Sequence, residues 1–244
     1  MTDTLSKKPI PARDRLIMAL DLPSVAEAKN LVETLGDSVS FYKIGLELFM
    51  AGDYFELIEW LRKRGKKIFA DLKFFDVPET VARAVRALSA HGVDFATVHG
   101  NDAIMEAAAK AKGNLKILAV TVLTSLDQGD LEDLGFECDV QRLVLSRARR
   151  ALDLGCDGVI SSGLEVPALR QEVDQKLLVI SPGIRPVENR PTDDQKRVVT
   201  VEQAFLNGAD YIVVGRPIRD AENPREAAEK VQTQIEDVFK RAAS

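Results

Sequence analysis

Three charged side chains alternate in sign within a short stretch of this chain, a pattern suited to handling a proton or a carbanion. An apolar run, residues 67–70, leads into Asp71 and Lys73, and Asp76 follows three positions later. Because side chains two apart on a strand share a face, we expect Asp71 and Lys73 to point the same way. A buried charge needs a partner, since desolvating it alone is costly. The pattern indicates a preorganised charge cluster, with a structural ion pair at a solvated loop as the alternative.

The composition narrows the classes of protein to consider. The chain has 244 residues, of which 45% are hydrophobic, enough for one large core or two small domains. A net charge of -5 does not indicate a nucleic-acid or membrane-binding surface. The two cysteines, Cys138 and Cys156, are too few for a disulfide framework. No apolar run approaches the roughly 18 residues that a membrane-spanning helix needs.

The chain is predicted to form a single domain after a short tail. Residues 1–13 are polar, contain prolines and lack the apolar core of a signal sequence, so we expect a flexible N-terminal tail on a cytoplasmic protein. No linker rich in Pro, Gly or Ser divides residues 14–244, which are therefore assigned to one domain.

Apolar segments that read as strands alternate with amphipathic segments that read as helices. The predicted strands are residues 16–21, 41–46, 67–73, 94–99, 115–123, 158–162, 177–181 and 211–215. Most are continuous apolar runs, as expected of parallel strands buried on both faces. Eight strand–helix units in about 230 residues predict an α/β fold of the (β/α)8 TIM-barrel type. A doubly wound sheet is the alternative, but residues 21–24 lack its glycine-rich turn.

Helix boundaries follow from capping signals. Ser24 is a predicted N-cap, Gly36 a predicted helix end, and Pro78 suits a first helical turn, where its missing N–H costs nothing. The predicted helices are residues 24–35, 53–64, 78–90, 102–111, 140–154, a short one from 165, 201–207 and 223–242.

In such barrels the chemistry lies at the carboxyl ends of the strands. The polar or glycine residues predicted at that mouth are Asp21, Lys43, Asp71, Lys73, His99, Thr124, Ser125, Ser181, Gly183, Arg185, Gly215 and Arg216. Two lysines and two arginines thus converge on one mouth of an acidic protein. This indicates an anionic small-molecule ligand.

The ends of strands seven and eight are predicted to bind phosphate, as these loops often do in barrels. Gly215 lets the backbone approach an anion closely, and Arg216 offers a bidentate donor. Arg185 follows a second turn, and the polar residues 183–197 after it are predicted to form a lid. An ordinary surface arginine is the alternative for Arg216.

Together these residues resemble the orotidine 5'-phosphate decarboxylase family, whose members make UMP from orotidine 5'-phosphate (OMP). The family signature Asp-x-Lys-x-x-Asp is matched by Asp71, Lys73 and Asp76, and residues 181–186 and 213–216 are also similar to the family's. The combination in this order is specific. Two residues beside the signature differ from the family's usual His and Asn, namely Phe75 and Glu79.

The resemblance implies catalytic roles for four residues. Lys73 would be the proton donor, Asp71 would lie beside the substrate carboxylate, and Lys43 would join their charge network. Asp76 would complete the array from the neighbouring subunit of a homodimer. Thr80 would reach across the same interface to bind substrate.

The resemblance also implies a substrate-binding set. Asp21 and Lys43 would meet the ribose hydroxyls, and Thr124 and Ser125 would contact the pyrimidine and ribose. The phosphate would be held by Arg185, Gln195, Gly215 and Arg216. The implied partners are the nucleotides OMP and UMP and a second copy of the chain, with no nucleic acid and no membrane.

The implied chemistry explains why a lysine is needed. Loss of CO2 from C6 of orotate leaves a carbanion in the ring plane, which no π-system delocalises. A fixed ammonium group can stabilise that charge and then protonate it. We therefore expect a lyase of pyrimidine biosynthesis with no cofactor and no metal.

Two other functions stay open on the sequence alone. One is a metal-dependent 3-keto-sugar-phosphate decarboxylase or aldolase of similar fold, in which Glu47, Asp71 and Asp76 help to ligate Mg²⁺. The other is a barrel that binds a nucleotide without turning it over. The intact Asp71, Lys73 and Asp76 argue against the second, because binding alone does not need this array.

Overall fold

Eight parallel strands close into a barrel in the computed structural model, which describes residues 4–185 and 198–243. Each strand pairs with the next along the chain, and the last pairs with the first. The strands are β1 Leu16–Ala19, β2 Phe41–Gly45, β3 Lys67–Phe74, β4 Phe95–His99, β5 Lys116–Val120, β6 Gly158–Ile160, β7 Leu178–Ser181 and β8 Tyr211–Val214. The (β/α)8 prediction is confirmed.

Helices cover the outside of the barrel. They are α1 Val25–Leu35, α2 Leu46–Met50, α3 Tyr54–Lys63, α4 Pro78–Ala90, α5 Asp102–Ala111, α6 Gln128–Asp133, α7 Val140–Asp153, α8 Val166–Glu172, α9 Val201–Leu206, α10 Arg216–Arg219 and α11 Pro224–Ala243. The predicted bounds of α4 and α5 match the structure, and Ser24 caps α1 by accepting from the Glu27 N–H. In the part of the chain that is described, no helix has the length and apolarity to span a membrane.

The structure corrects several predicted strand ends. β1 ends at Ala19 and β5 at Val120, two and three residues earlier than predicted. The ladder between β4 and β5 ends at the pair His99–Val120, so the apolar residues that follow β5 lie in a loop. Because of these earlier ends, Asp21 is a loop residue rather than part of β1, and Thr124 and Ser125 lie four and five residues beyond β5.

Three short helices that were not predicted, α2, α6 and α10, follow β2, β5 and β8. Asp127 caps α6 through a reciprocal pair of hydrogen bonds with Asp130, a capping box that stabilises even a short helix. The signal is present in the sequence, but no long apolar periodicity accompanies it. α10 places Arg216 at its first position and Arg219 at its last.

Aromatic side chains fill the floor of the barrel. Phe41, Phe95 and Tyr211 each begin a strand and point inward, with ring centroids 5.0 Å apart for Phe41–Phe95 and 5.3 Å for Phe95–Tyr211. Both pairs are edge-to-face, the arrangement that ring quadrupoles favour. These rings close the barrel below the mouth, although the same three residues also line a cavity of about 300 Å³ at the amino ends of the strands.

The start of the chain also contacts the floor. Asp210, fully buried just before β8, accepts hydrogen bonds from the Ser6 hydroxyl and from Lys8 Nζ at 3.0 Å. Its other partners are Arg170 at 2.7 Å and the N–H of Val179 at 2.9 Å. Residues within the predicted tail thus touch the barrel, and the flexibility of residues 1–13 stays a prediction.

We expect Asp210→Ala to destabilise the fold strongly. Arg170 is as deeply buried as Asp210, and removing one member of a buried ion pair leaves an uncompensated charge that costs about 3–5 kcal/mol. Urea denaturation at pH 7 measures the loss. The matched control is Glu106→Ala, which removes an exposed pair with Lys110 and should leave the midpoint nearly unchanged. Equal midpoints for the two variants would contradict the assigned role of Asp210.

Candidate active site

A chain of four alternating charges lies at the mouth of the barrel. Asp71 Oδ2 is 3.0 Å from Lys73 Nζ and 3.6 Å from Lys43 Nζ. Lys43 Nζ is in turn 2.8 Å from Asp21 Oδ1. β1, β2 and β3 are neighbours in the barrel, so the three successive strands bring these four residues together at their carboxyl ends.

The cluster keeps its inner members charged. Burial alone would raise the pKa of Asp71, but the ammonium groups of Lys43 and Lys73, with hydrogen bonds to its carboxylate, hold that pKa below the usual value. Burial alone would lower the pKa of Lys43, and the carboxylates of Asp71 and Asp21 instead raise it. The buried pair is therefore ionised at neutral pH.

A distortion of β3 places the two signature residues. β3 pairs Ala70 with Ala96 of β4 and next pairs Phe74 with Val98, so the register shifts between these pairs. Lys73 lies in this shift with a φ of +47°, a left-handed conformation that costs a non-glycine residue about 1–3 kcal/mol. Asp71 and Lys73 do meet, but through a bulge rather than through the plain strand alternation that the sequence predicts.

The cluster borders a cavity of about 520 Å³ in the mouth, within the size range of small-molecule sites. Asp21, Lys43, Asp71 and Lys73 line it together with predicted residues from later strands, namely Thr124, Ser125, Arg185, Gly215 and Arg216. Arg185 follows β7, which lies across the barrel from β3. The cavity thus has lysines and carboxylates on one wall and arginines on another.

Two of the predicted site residues that the structure describes, Asp76 and Thr80, are not among those that line this cavity. Asp76 lies just before α4 and Thr80 lies in its first turn, and both are exposed. The carboxylate of Asp76 accepts a hydrogen bond from the N–H of Val77. Among the described residues, Asp76 has no ion pair with Lys73. Gln195 and most of the predicted lid lie outside the described residues.

Two further residues belong to the site and were missed from the sequence. Arg219 lines the cavity and its guanidinium donates to the backbone carbonyl of Asp21. Arg219 follows Arg216 by three residues, and on a helix this spacing places both side chains on one face. This was the sequence signal that could have identified it. Thr97, on β4, hydrogen-bonds to both Asp71 and Lys73. Thr97 lies two residues before His99 and therefore on the same face of β4. That position alone is a weak signal of a site residue, because the contact with Asp71 and Lys73 depends on the bulge in β3.

His99 packs at the edge of the site rather than in the cavity. Its ring lies 4.8 Å from that of Phe75, one of the two residues that depart from the family pattern. Burial lowers the pKa of His99, as do the positive charges of Arg147 and Lys73. The imidazole of His99 is therefore neutral at pH 7 and adds no positive charge to those of Lys73 and Lys43.

Comparison with known proteins agrees with this geometry. A family model described as "Orotidine 5'-phosphate decarboxylase / HUMPS family" matches residues 14–231. The chain belongs to this family. Membership confirms the resemblance predicted from Asp71, Lys73 and Asp76.

Relatives in the family match the chain over nearly its whole length. An orotidine 5'-phosphate decarboxylase of Methylococcus capsulatus is 77% identical over 239 residues, covering 98% of this chain and 99% of the relative. One from Nitrobacter winogradskyi is 48% identical and covers 94% of this chain and 95% of the relative. The crystal structure of orotidine 5'-phosphate decarboxylase from Lactobacillus acidophilus superposes with a TM-score of 0.80 at 34% identity, covering 91% of this chain and 99% of that one.

Proposed function

We propose that the chain is a cofactor-independent carboxy-lyase that converts OMP to UMP in pyrimidine biosynthesis. The observation that carries the proposal is the contact of Lys73 Nζ with an ionised Asp71 at 3.0 Å, on the wall of a cavity that also presents arginines. Pure nucleotide binding needs the arginines but not this ion pair. The identity of the chain to decarboxylases of the family supports the same function.

The proposed reaction breaks the bond between C6 and the carboxylate carbon, and the electron pair stays on C6. Lys73 stabilises that pair electrostatically and then transfers a proton from Nζ to C6. Asp71, held ionised by Lys43 and Lys73, lies beside the substrate carboxylate and repels it until it leaves as neutral CO2. Solvent returns the proton to Lys73 after product release.

The remaining residues that line the cavity bind the nucleotide. Arg185, Gly215 and Arg216 hold the phosphate through guanidinium and backbone donors, and Gln195 is assigned to the same group from the sequence. Asp21 and Lys43 meet the ribose, and Thr124 and Ser125 contact the pyrimidine and ribose region. Binding energy from the phosphate, which does not react, orders the charged end of the site.

The metal-dependent alternative fits the geometry less well. Asp71 is a proposed Mg²⁺ ligand there, but its Oδ1 accepts from Thr97 and its Oδ2 contacts Lys73. Two ammonium groups within 3.6 Å of that carboxylate would oppose a divalent cation. No observation on the described residues favours the alternative.

Lys73→Ala should reduce kcat at least about a hundredfold, because it removes both the fixed charge and the proton donor. Loss of orotate absorbance, followed with EDTA present, measures turnover. The wild-type chain should turn over under these conditions, and Lys110→Ala, an exposed lysine on α5, should match it. A kcat for Lys73→Ala within about tenfold of wild type, roughly 1.4 kcal/mol, would remove Lys73 from the mechanism.

Arg216→Ala should raise KM for OMP about tenfold or more, because a charge-assisted contact with the phosphate is lost before the chemistry begins. Steady-state kinetics over a range of OMP concentrations separates KM from kcat. Arg241→Ala, an exposed arginine on α11, is the matched control and should leave both parameters unchanged. An unchanged KM for Arg216→Ala would contradict a phosphate contact.

We further propose that two copies of the chain form a homodimer in which Asp76 and Thr80 of each reach the site of the other. Both residues are exposed and do not reach their own cavity, and they lie beside Phe75 and Val77, apolar side chains that are 65% and 63% exposed. Apolar side chains clustered on a surface favour a partner. Asp76 from that partner would give Lys73 a second carboxylate.

Subunit complementation tests this arrangement. Lys73→Ala and Asp76→Ala should each be nearly inactive alone, but co-expressed chains should recover about a quarter of the wild-type activity, because half of the dimers carry one intact site. Co-expression of Lys73→Ala with Lys43→Ala should recover nothing, since both lysines contact the same Asp71 within one chain. No recovery in the first mixture would mean that Asp76 does not cross the interface.

A further inference from the structure

Thr97 lies opposite the bulge in β3. The ladder pairs Ala70 with Ala96 and then Phe74 with Val98, so Thr97 is the one residue of β4 between the two pairs. Three residues of β3, 71–73, face it. These three include both charged residues of the signature on this strand.

One hydroxyl group joins the two charged residues. Thr97 Oγ1 accepts the backbone N–H of Lys73 at 2.9 Å and donates to Asp71 Oδ1, also at 2.9 Å. A hydroxyl has a single proton, so in this arrangement the proton is committed to Asp71. Thr97 is fully buried, and water does not compete for either bond.

Each of these bonds fixes something that the proposed chemistry requires. The bond to Lys73 holds a backbone whose φ of +47° a lysine rarely adopts, and a different φ would redirect its side chain. The bond to Asp71 occupies Oδ1 and leaves Oδ2 for Lys73 and Lys43. Thr97 is not among the described residues that line the cavity, so it acts through its neighbours.

We propose that Thr97 is a positioning residue for decarboxylation: its hydroxyl clamps the Lys73 backbone and the Asp71 carboxylate together, and so sets the geometry in which proton donor and carboxylate meet the substrate. This inference deepens the proposed function and rests on it. It gives β4 a role in the chemistry, whereas the signature residues Asp71 and Lys73 are both on β3.

The test compares Thr97→Val with Thr97→Ser. Valine keeps the shape of threonine and lacks the hydroxyl, whereas serine keeps the hydroxyl. We expect Thr97→Val to lower kcat at least about tenfold while KM stays within about threefold, because the arginines that bind phosphate are untouched. Thr97→Ser should keep kcat within about threefold of wild type. The hydrogen bond from Thr97 helps to lower the pKa of Asp71, so the acid limb of kcat should move to higher pH in Thr97→Val.

A second measurement does not depend on activity. Amide hydrogen exchange at Lys73 should be faster in Thr97→Val than in wild type and unchanged in Thr97→Ser. Equal kcat for the valine and serine variants, or a parallel loss in both, would overturn the proposal, as would unchanged exchange at Lys73. A wild-type chain without turnover on OMP would instead reject the proposed function, and the exchange rates would then decide the clamp by themselves.

Discussion

The contact between one carboxylate and two ammonium groups, Asp71 with Lys73 and Lys43, is the interaction on which the mouth of the barrel depends. Lys43 and Asp71 are both largely withdrawn from water, so each of these two charges needs an opposite charge beside it. Their mutual attraction keeps Asp71 ionised despite its burial. In the proposed reaction, this carboxylate supplies the electrostatic repulsion and the neighbouring Lys73 supplies the proton.

The barrel supplies what this cluster needs. Closure places β3 across from β7, so lysines and the arginines proposed to bind phosphate face each other over one cavity. The aromatic floor of Phe41, Phe95 and Tyr211 confines that cavity to the carboxyl ends of the strands. In the proposed reaction, the arginines bind the phosphate, and the lysines and carboxylates on the opposite wall act on the carboxylate that leaves.

Much of the fold and of the site was predictable from the sequence, because strand patterns, helix caps and strand ends are local features of the chain. Continuous apolar strands and helix caps predicted the barrel, and Asp71, Lys73 and Arg216 followed from strand ends. What was missed depends on register between strands. The bulge in β3 and the left-handed Lys73 arise from pairing with β4, so alternation along one strand does not reveal that Thr97 bridges Asp71 and Lys73. Arg219 was missed because α10 is too short to show periodicity. The role of Asp76 could be assigned only from the family resemblance, because the residue is exposed in the single chain and its proposed target is the site of a second copy.

The buried Asp210 has a practical consequence. It accepts hydrogen bonds from Ser6 and Lys8 at the amino ends of the strands, so these two residues lie on the face opposite the cavity. A fusion partner or surface tether joined there would leave the mouth open to incoming nucleotide. Removal of Ser6 by truncation, by contrast, would take away a hydrogen bond to Asp210 and destabilise the start of β8.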